Sequence, residues 1–136
     1  MQTYIGTKII QAEPQNMNGK DGYAVRYPDD YNSWSPKDAF EAAYRQSGNF
    51  NFGHALQCLK DGKKVARSGW NGKGMFLFLV PGSRFIVNRA PLLGIYPEGT
   101  EIQYHAHIDM KTAQDTVVPW LASQTDVLAE DWEIVS

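Results

Sequence analysis

A single cysteine, Cys58, in 136 residues excludes a disulfide within the chain and any metal site built on paired cysteines. Surplus positive charge is also missing: 13 Lys and Arg stand against 15 Asp and Glu, for a net charge of −2. Long nucleic acid is held by a broad basic face that displaces counterions, and this composition does not supply one. Any phosphate ligand is therefore expected to be small and met locally. No apolar run approaches the roughly 20 residues that span a bilayer. The start MQTYIGTKIIQAEP also lacks the charged leader and long apolar stretch of a secretory signal. These absences predict a soluble protein of a reducing cytoplasm, with no membrane association.

Recognisable catalytic constellations are absent as well. The chain has no Gly-x-Ser-x-Gly elbow, no His-Glu-x-x-His helix, no deaminase cysteine pair and no glycine-rich dinucleotide fingerprint. Scattered carboxylates (Asp109, Asp126, Glu130, Asp131) remain as the material for an acid and base pair. The expectation is a protein that binds without catalysing, with no cofactor and no metal. What is present suits a packed core: 43% hydrophobic and 12% aromatic residues, in a chain the length of one domain or one domain with a short extension.

The patterning predicts an α+β fold, a small antiparallel sheet with short helices packed against it and an N-terminal β/α extension. The extension covers residues 1–48 and the core domain residues 49–136. Tyr4 to Ala12 and Tyr23 to Tyr27 read as strands around a turn-rich loop. Ser35-Pro36 reads as a helix start, with Ser35 as cap and Pro36 in the first turn, running to about Gly48. The clearest helix begins at Asn51, shows Phe52, Ala55, Leu56 and Leu59 on one face, and stops at Asp61-Gly62. Lys64 to Arg67, Met75 to Val80, Ile102 to Met110 and Trp132 to Val135 read as strands, and Val117 to Leu121 as a short apolar run broken by Pro119. Ser123 to Glu130 reads as a capped helical turn. Prolines and glycines from Pro81 to Gln103 argue against any long regular element there.

The densest chemical signal is Arg67-Ser-Gly-Trp70-Asn71-Gly72-Lys73-Gly74. Its three glycines leave amides accessible to an anion, Arg67 and Lys73 add charge, Trp70 offers a stacking face, and Asn71 both donates and accepts. The same residues also fit a tight hairpin in which Asn71-Gly72 forms the turn and Trp70 fills the core. Further along, Ser123, Gln124, Thr125 and Asp126 could read amide and hydroxyl groups of a ligand, and Asp131 ribose hydroxyls. The competing reading is a helix cap with an acidic first turn. His105 and His107, two apart, would share a strand face with Asp109 nearby, but no further ligand motif accompanies them.

Three motifs occur in order: Phe52-Gly53-x-Ala55-Leu56-x-x-Leu59-Lys60 running on to Arg67-x-Gly69-Trp70-Asn71-Gly72-Lys73-Gly74-Met75; Met110-Lys111-Thr112-Ala113; and Val118-Pro119-Trp120-Leu121-Ala122-Ser123-Gln124-Thr125-Asp126 ending in Asp131-Trp132. Together they make residues 50–136 resemble the phage Thoeris anti-defence family of the second type. The resemblance implies a small protein of the host bacterial cytoplasm that sequesters cyclic ADP-ribose isomers without degrading them. It implies a homotetramer whose ligand pockets lie between subunits, some relatives also holding cyclic di- or trinucleotides in separate pockets. It further implies that Trp70 and Asn71 contact the base or ribose and that Ser123 to Asp126 lie near the partner subunit.

Overall fold

In the computed structural model, which describes residues 1–136, the chain runs β1 (Gln11–Pro14), β2 (Gly22–Arg26), β3 (Asn32–Pro36), α1 (Lys37–Ala43), α2 (Phe52–Lys60), β4 (Lys64–Arg67), β5 (Phe76–Val80), β6 (Ser83–Ile86), β7 (Glu101–Tyr104), β8 (His107–Lys111), β9 (Val117–Pro119), α3 (Gln124–Leu128) and β10 (Trp132–Val135). This is the expected α+β class. Every strand pairing is antiparallel.

The core is organised by α2. Asn51 caps it reciprocally with His54: the Asn51 side chain accepts from the His54 N–H at 2.9 Å, and His54 Nδ1 accepts from the Asn51 N–H at 3.2 Å. Such a cap contributes about 1 kcal/mol. Gly62, at φ 83°, ends the helix in a conformation costly for other residues. Ala55, Cys58 and Leu59 are then set down on Val65, Leu77 and Trp132 of a five-stranded sheet ordered β10-β4-β5-β8-β9. One register decides the site. Trp132 lies opposite Arg67, so Asp131 comes level with the chain leaving β4.

Residues 1–48 hold a separate three-stranded sheet, β1-β2-β3, backed by α1 through the stacked rings of Tyr23, Phe40 and Tyr44. It meets the rest of the chain through an Arg45–Glu130 ion pair at 2.6 Å, a bond from the Ile134 N–H to Ser47 Oγ at 2.8 Å, and Ile9 packed against the core.

Several expectations are corrected here. Tyr4 to Ala12 is not a strand; pairing begins only at Gln11, and residues 1–10 make no backbone hydrogen bond. Ser35 is no helix cap, because its backbone is engaged opposite Tyr23 in the β2–β3 ladder, and α1 starts after Pro36 and ends at Ala43, short of Gly48. Pro81 to Gln103 is more regular than its composition suggested. Its interior breakers, Pro91 to Gly99, fall between β6 and β7, which pair as a two-stranded ribbon. Ile102 to Met110 divides at His105-Ala106 into β7 and β8, which belong to different sheets.

The single chain exposes 10,187 Å². A folded monomer of its 15.3 kDa should expose about 7,100 Å². About 3,000 Å² is therefore in excess, and large apolar side chains share in it: Ile95 is 68%, Val117 57%, Leu121 92% and Leu128 75% exposed. No helix is long and apolar enough to cross a membrane.

Candidate functional site

Arg67 ends β4 with its guanidinium turned toward α3 and the start of β10. Its Nε donates to Asp131 Oδ1 at 2.8 Å and its Nη1 to Asp126 Oδ1 at 2.8 Å. The second Asp131 oxygen accepts from the Gly69 N–H at 2.8 Å, and Asp126 Oδ1 also accepts from Trp70 Nε1 at 3.1 Å. Trp132 Nε1 closes the group by donating to the Asp126 carbonyl at 3.0 Å. Two stretches distant in sequence, residues 67–70 and 126–132, are thus joined by one guanidinium and two carboxylates, all partly buried. Arg67, read from sequence as a phosphate ligand, and Asp131, read as a ribose ligand, are both engaged in this lock.

Trp70 is half-buried. Its ring meets Trp132 edge-on with centroids 5.4 Å apart, and Trp132 in turn packs on Trp120 and Phe52. The hairpin reading is half right: Trp70 does pack on the core, but Asn71-Gly72 is not a tight turn. Eight residues, 68–75, separate β4 from β5, and neither Asn71 nor Gly72 has positive φ; only Gly74, at φ 72°, does. The other two loop glycines serve close approach. A Cβ on Gly69 would lie 2.7 Å from Asp131 Oδ2, and one on Gly72 would run into the Met75 sulfur and sit 3.1 Å from Ala113 Cβ.

Past Trp70 the loop turns outward. The N–H groups of Asn71, Gly72, Lys73 and Gly74 donate to no acceptor in the chain, the Asn71 side chain makes no hydrogen bond, and Lys73 is exposed without an ionic partner. Lys111, at the end of β8, reaches the same loop by donating to the Gly74 carbonyl at 3.1 Å, with Asp115 Oδ1 3.6 Å away. Sequence reasoning did not assign Lys111 a role; its only signal was the Met110 to Ala113 motif. Successive free amides with one or two ammonium groups at hand make an anion-accepting edge.

Across the lock, Ser123 caps α3 by accepting from the Asp126 N–H at 3.0 Å, which is the helix-cap reading of that segment. Gln124 and Thr125 stand exposed on its first turn, with side chains uncommitted. The site is open on the single chain. Concavities of about 870, 610 and 470 Å³ lie beside residues 85–92, on the N-terminal sheet, and between residues 6–10 and α2. His105 falls outside β8, so the two histidines do not share a strand; His107 faces Asp109 at 3.5 Å and the His105 carbonyl at 3.1 Å, and no trio of metal-ligating groups gathers.

The lock makes the fold acid-sensitive. Partial burial pushes the Asp126 carboxyl up, but hydrogen bonds from Arg67 and Trp70 outweigh it and hold it below its ordinary value. Asp131 is likewise lowered, chiefly by Arg67 and, against burial, by the Gly69 N–H. Carboxyls lowered by folding stabilise the native state above their ordinary pKa of about 4, and that stability is lost as pH falls through the folded values. Thermal midpoints should therefore be flat with respect to these groups near neutrality and fall below about pH 4. An Asp126→Asn, Asp131→Asn double variant should lose most of that slope; an unchanged slope would contradict the assignment.

Comparison with known proteins places these residues among relatives. Residues 50–135 match the profile of the Thoeris anti-defense 2-like domain. Over 86 residues the chain is 48% identical to the Thoeris anti-defense 2 protein of Bacillus phage SP01, an alignment covering 63% of this chain and 94% of that protein.

Proposed function

The chain belongs to the Thoeris anti-defense 2-like family, and from that premise we propose that it is a phage sponge that binds cyclic ADP-ribose-type signalling nucleotides and holds them intact, blocking host Thoeris signalling. The observation that carries this reading is the run of four unpaired amides from Asn71 to Gly74, beside unpaired Lys73 and mounted on a rigid base. A pyrophosphate suits that edge, while Asn71, Gln124 and Thr125 offer side-chain groups for a base or ribose. Sequestration needs tight binding and slow release. A nanomolar dissociation constant corresponds to roughly −12 kcal/mol, within reach of one stacked base and a few charge-assisted phosphate contacts in a closed pocket.

A hydrolytic role gains nothing from the carboxylates here. Asp126 and Asp131 share the Arg67 guanidinium and both are held below the ordinary carboxyl value, which makes them poor bases near neutrality. Closure of the pocket falls to other copies of the chain. The excess of about 3,000 Å² over a monomer's expected surface equals several standard interface patches of about 800 Å² each, enough for a homotetramer in the host cytoplasm. Cyclic di- or trinucleotides would be separate ligands of the same assembly.

Calorimetric titration with cyclic ADP-ribose isomers and with short single-stranded DNA, at low and physiological salt, tests the reading. A ligand with two phosphate charges should weaken only modestly with salt. Lys73→Ala should cost roughly tenfold, with the amides retaining much of the affinity. Tighter, steeply salt-dependent binding of the DNA would remove the proposal.

A further inference from the structure

The N-terminal hexapeptide has the chemistry of a strand without a partner. Met1, Tyr4 and Ile5 are among the most exposed apolar residues in the molecule, at 123%, 88% and 92%, and no backbone group from residues 1–10 is hydrogen-bonded within the chain. The segment is anchored only behind its tip: Thr7 Oγ1 lies 3.4 Å from Gln57 Oε1, Lys8 stands over the Tyr27 ring at 4.6 Å, and Ile9 packs against the core. Its composition, Thr-Tyr-Ile-Gly-Thr before Lys8, is rich in β-formers and free of side-chain charge.

The sheets offer one edge of matching character. The outer edge of β10 is taken by residues 48–50, whose Phe50 N–H and carbonyl pair with Trp132. Strand β1 presents Gln11 and Glu13, β3 presents Asn32 and two serines, and the β6–β7 ribbon carries Arg84 and Glu101. Strand β9 is a short uncharged edge whose two β-branched residues, Val117 57% and Val118 38% exposed, are followed by Pro119, which offers a carbonyl but no N–H. Edges of that kind invite pairing unless covered.

We propose that the N-terminal arm of one copy adds as a short strand to β9 of a second copy, so that the segment outside the family-matched region helps assemble the oligomer. The inference rests on the self-association proposed above. Strand addition would satisfy main-chain groups on both sides and cover Tyr4, Ile5, Val117 and Val118 together.

Two differently tagged forms of the full chain would test it: one carrying Tyr4→Cys or Ile5→Cys, the other Val117→Cys or Val118→Cys, mixed and mildly oxidised. Buried Cys58 stays in place and the parent chain serves as control. Disulfide-linked pairs joining the two tags are expected for at least one combination. Deleting residues 2–6 should at the same time lower the assembly's mass or raise the concentration at which it dissociates at least tenfold. Links only between like tags, no links, or an unchanged assembly after deletion would overturn the proposal. Calorimetry with cyclic ADP-ribose on the parent chain separates the claims: an assembly that binds nucleotide but gives no mixed link refutes the arm alone, whereas a chain that binds nucleotide and never self-associates refutes the arm and the assembly but not the binding.

Discussion

Arg67→Ala should destabilise the protein by about 2–3 kcal/mol and abolish nucleotide binding, although Arg67 itself points away from the open edge of the loop. Removing the guanidinium leaves two partly buried carboxylates without their shared counter-charge, and stranding a buried charge costs about 3–5 kcal/mol when burial is complete. Side-chain exposures of 15% for Asp126 and 29% for Asp131 admit some water and reduce that figure. The same change frees Asp131 from its alignment on the Gly69 amide, so the loop loses its base as well as its fold contribution. Chemical denaturation and calorimetry on one sample would check both effects. Arg67→Lys should recover little, since an ammonium cannot make the divergent bonds to both carboxylates. Normal stability with lost binding would instead make Arg67 a direct phosphate ligand.

Trp70→Ala is expected to weaken nucleotide binding at least tenfold and to lower stability by about 2–3 kcal/mol, a drop of roughly 8–12 °C in Tm for a chain of this size. The stability loss follows from its packing on Trp132 and its bond to Asp126. Trp70→Phe separates the contributions. It keeps a ring on Trp132 and a face for stacking but removes the N–H, so binding should suffer less than in the alanine variant. Unchanged affinity in Trp70→Ala would show that the ring serves packing only.

The contrast between Arg67 and Lys73 shows where sequence reading reaches. Local signals served well: the Asn51 cap, the apolar face of α2, the β4 run and the Ser123 cap depend on residues within a turn or two of one another. The lock does not. Arg67 finds its partners 59 and 64 residues downstream, and nothing beside it in the chain announces that its charge is already used. Glycine was ambiguous for the same reason. Gly69 and Gly72 read as leaving amides accessible to an anion, yet a side chain on Gly69 would meet Asp131 and one on Gly72 would meet Met75 and Ala113, and the approaches of Asp131 and Ala113 exist only once the sheet has formed. The N-terminal segment misled differently, since its strand composition is real while its pairing partner is not in its own chain.

Recovery of bound ligand tests the central claim most directly. Incubate the protein with a cyclic ADP-ribose isomer, remove unbound nucleotide, denature the complex by heat, and identify what is released by mass spectrometry. A sponge returns the isomer intact, in stoichiometric proportion to the chain and at the same yield after prolonged incubation. A linear or cleaved product accumulating with time, or no retained nucleotide at all, would contradict the account.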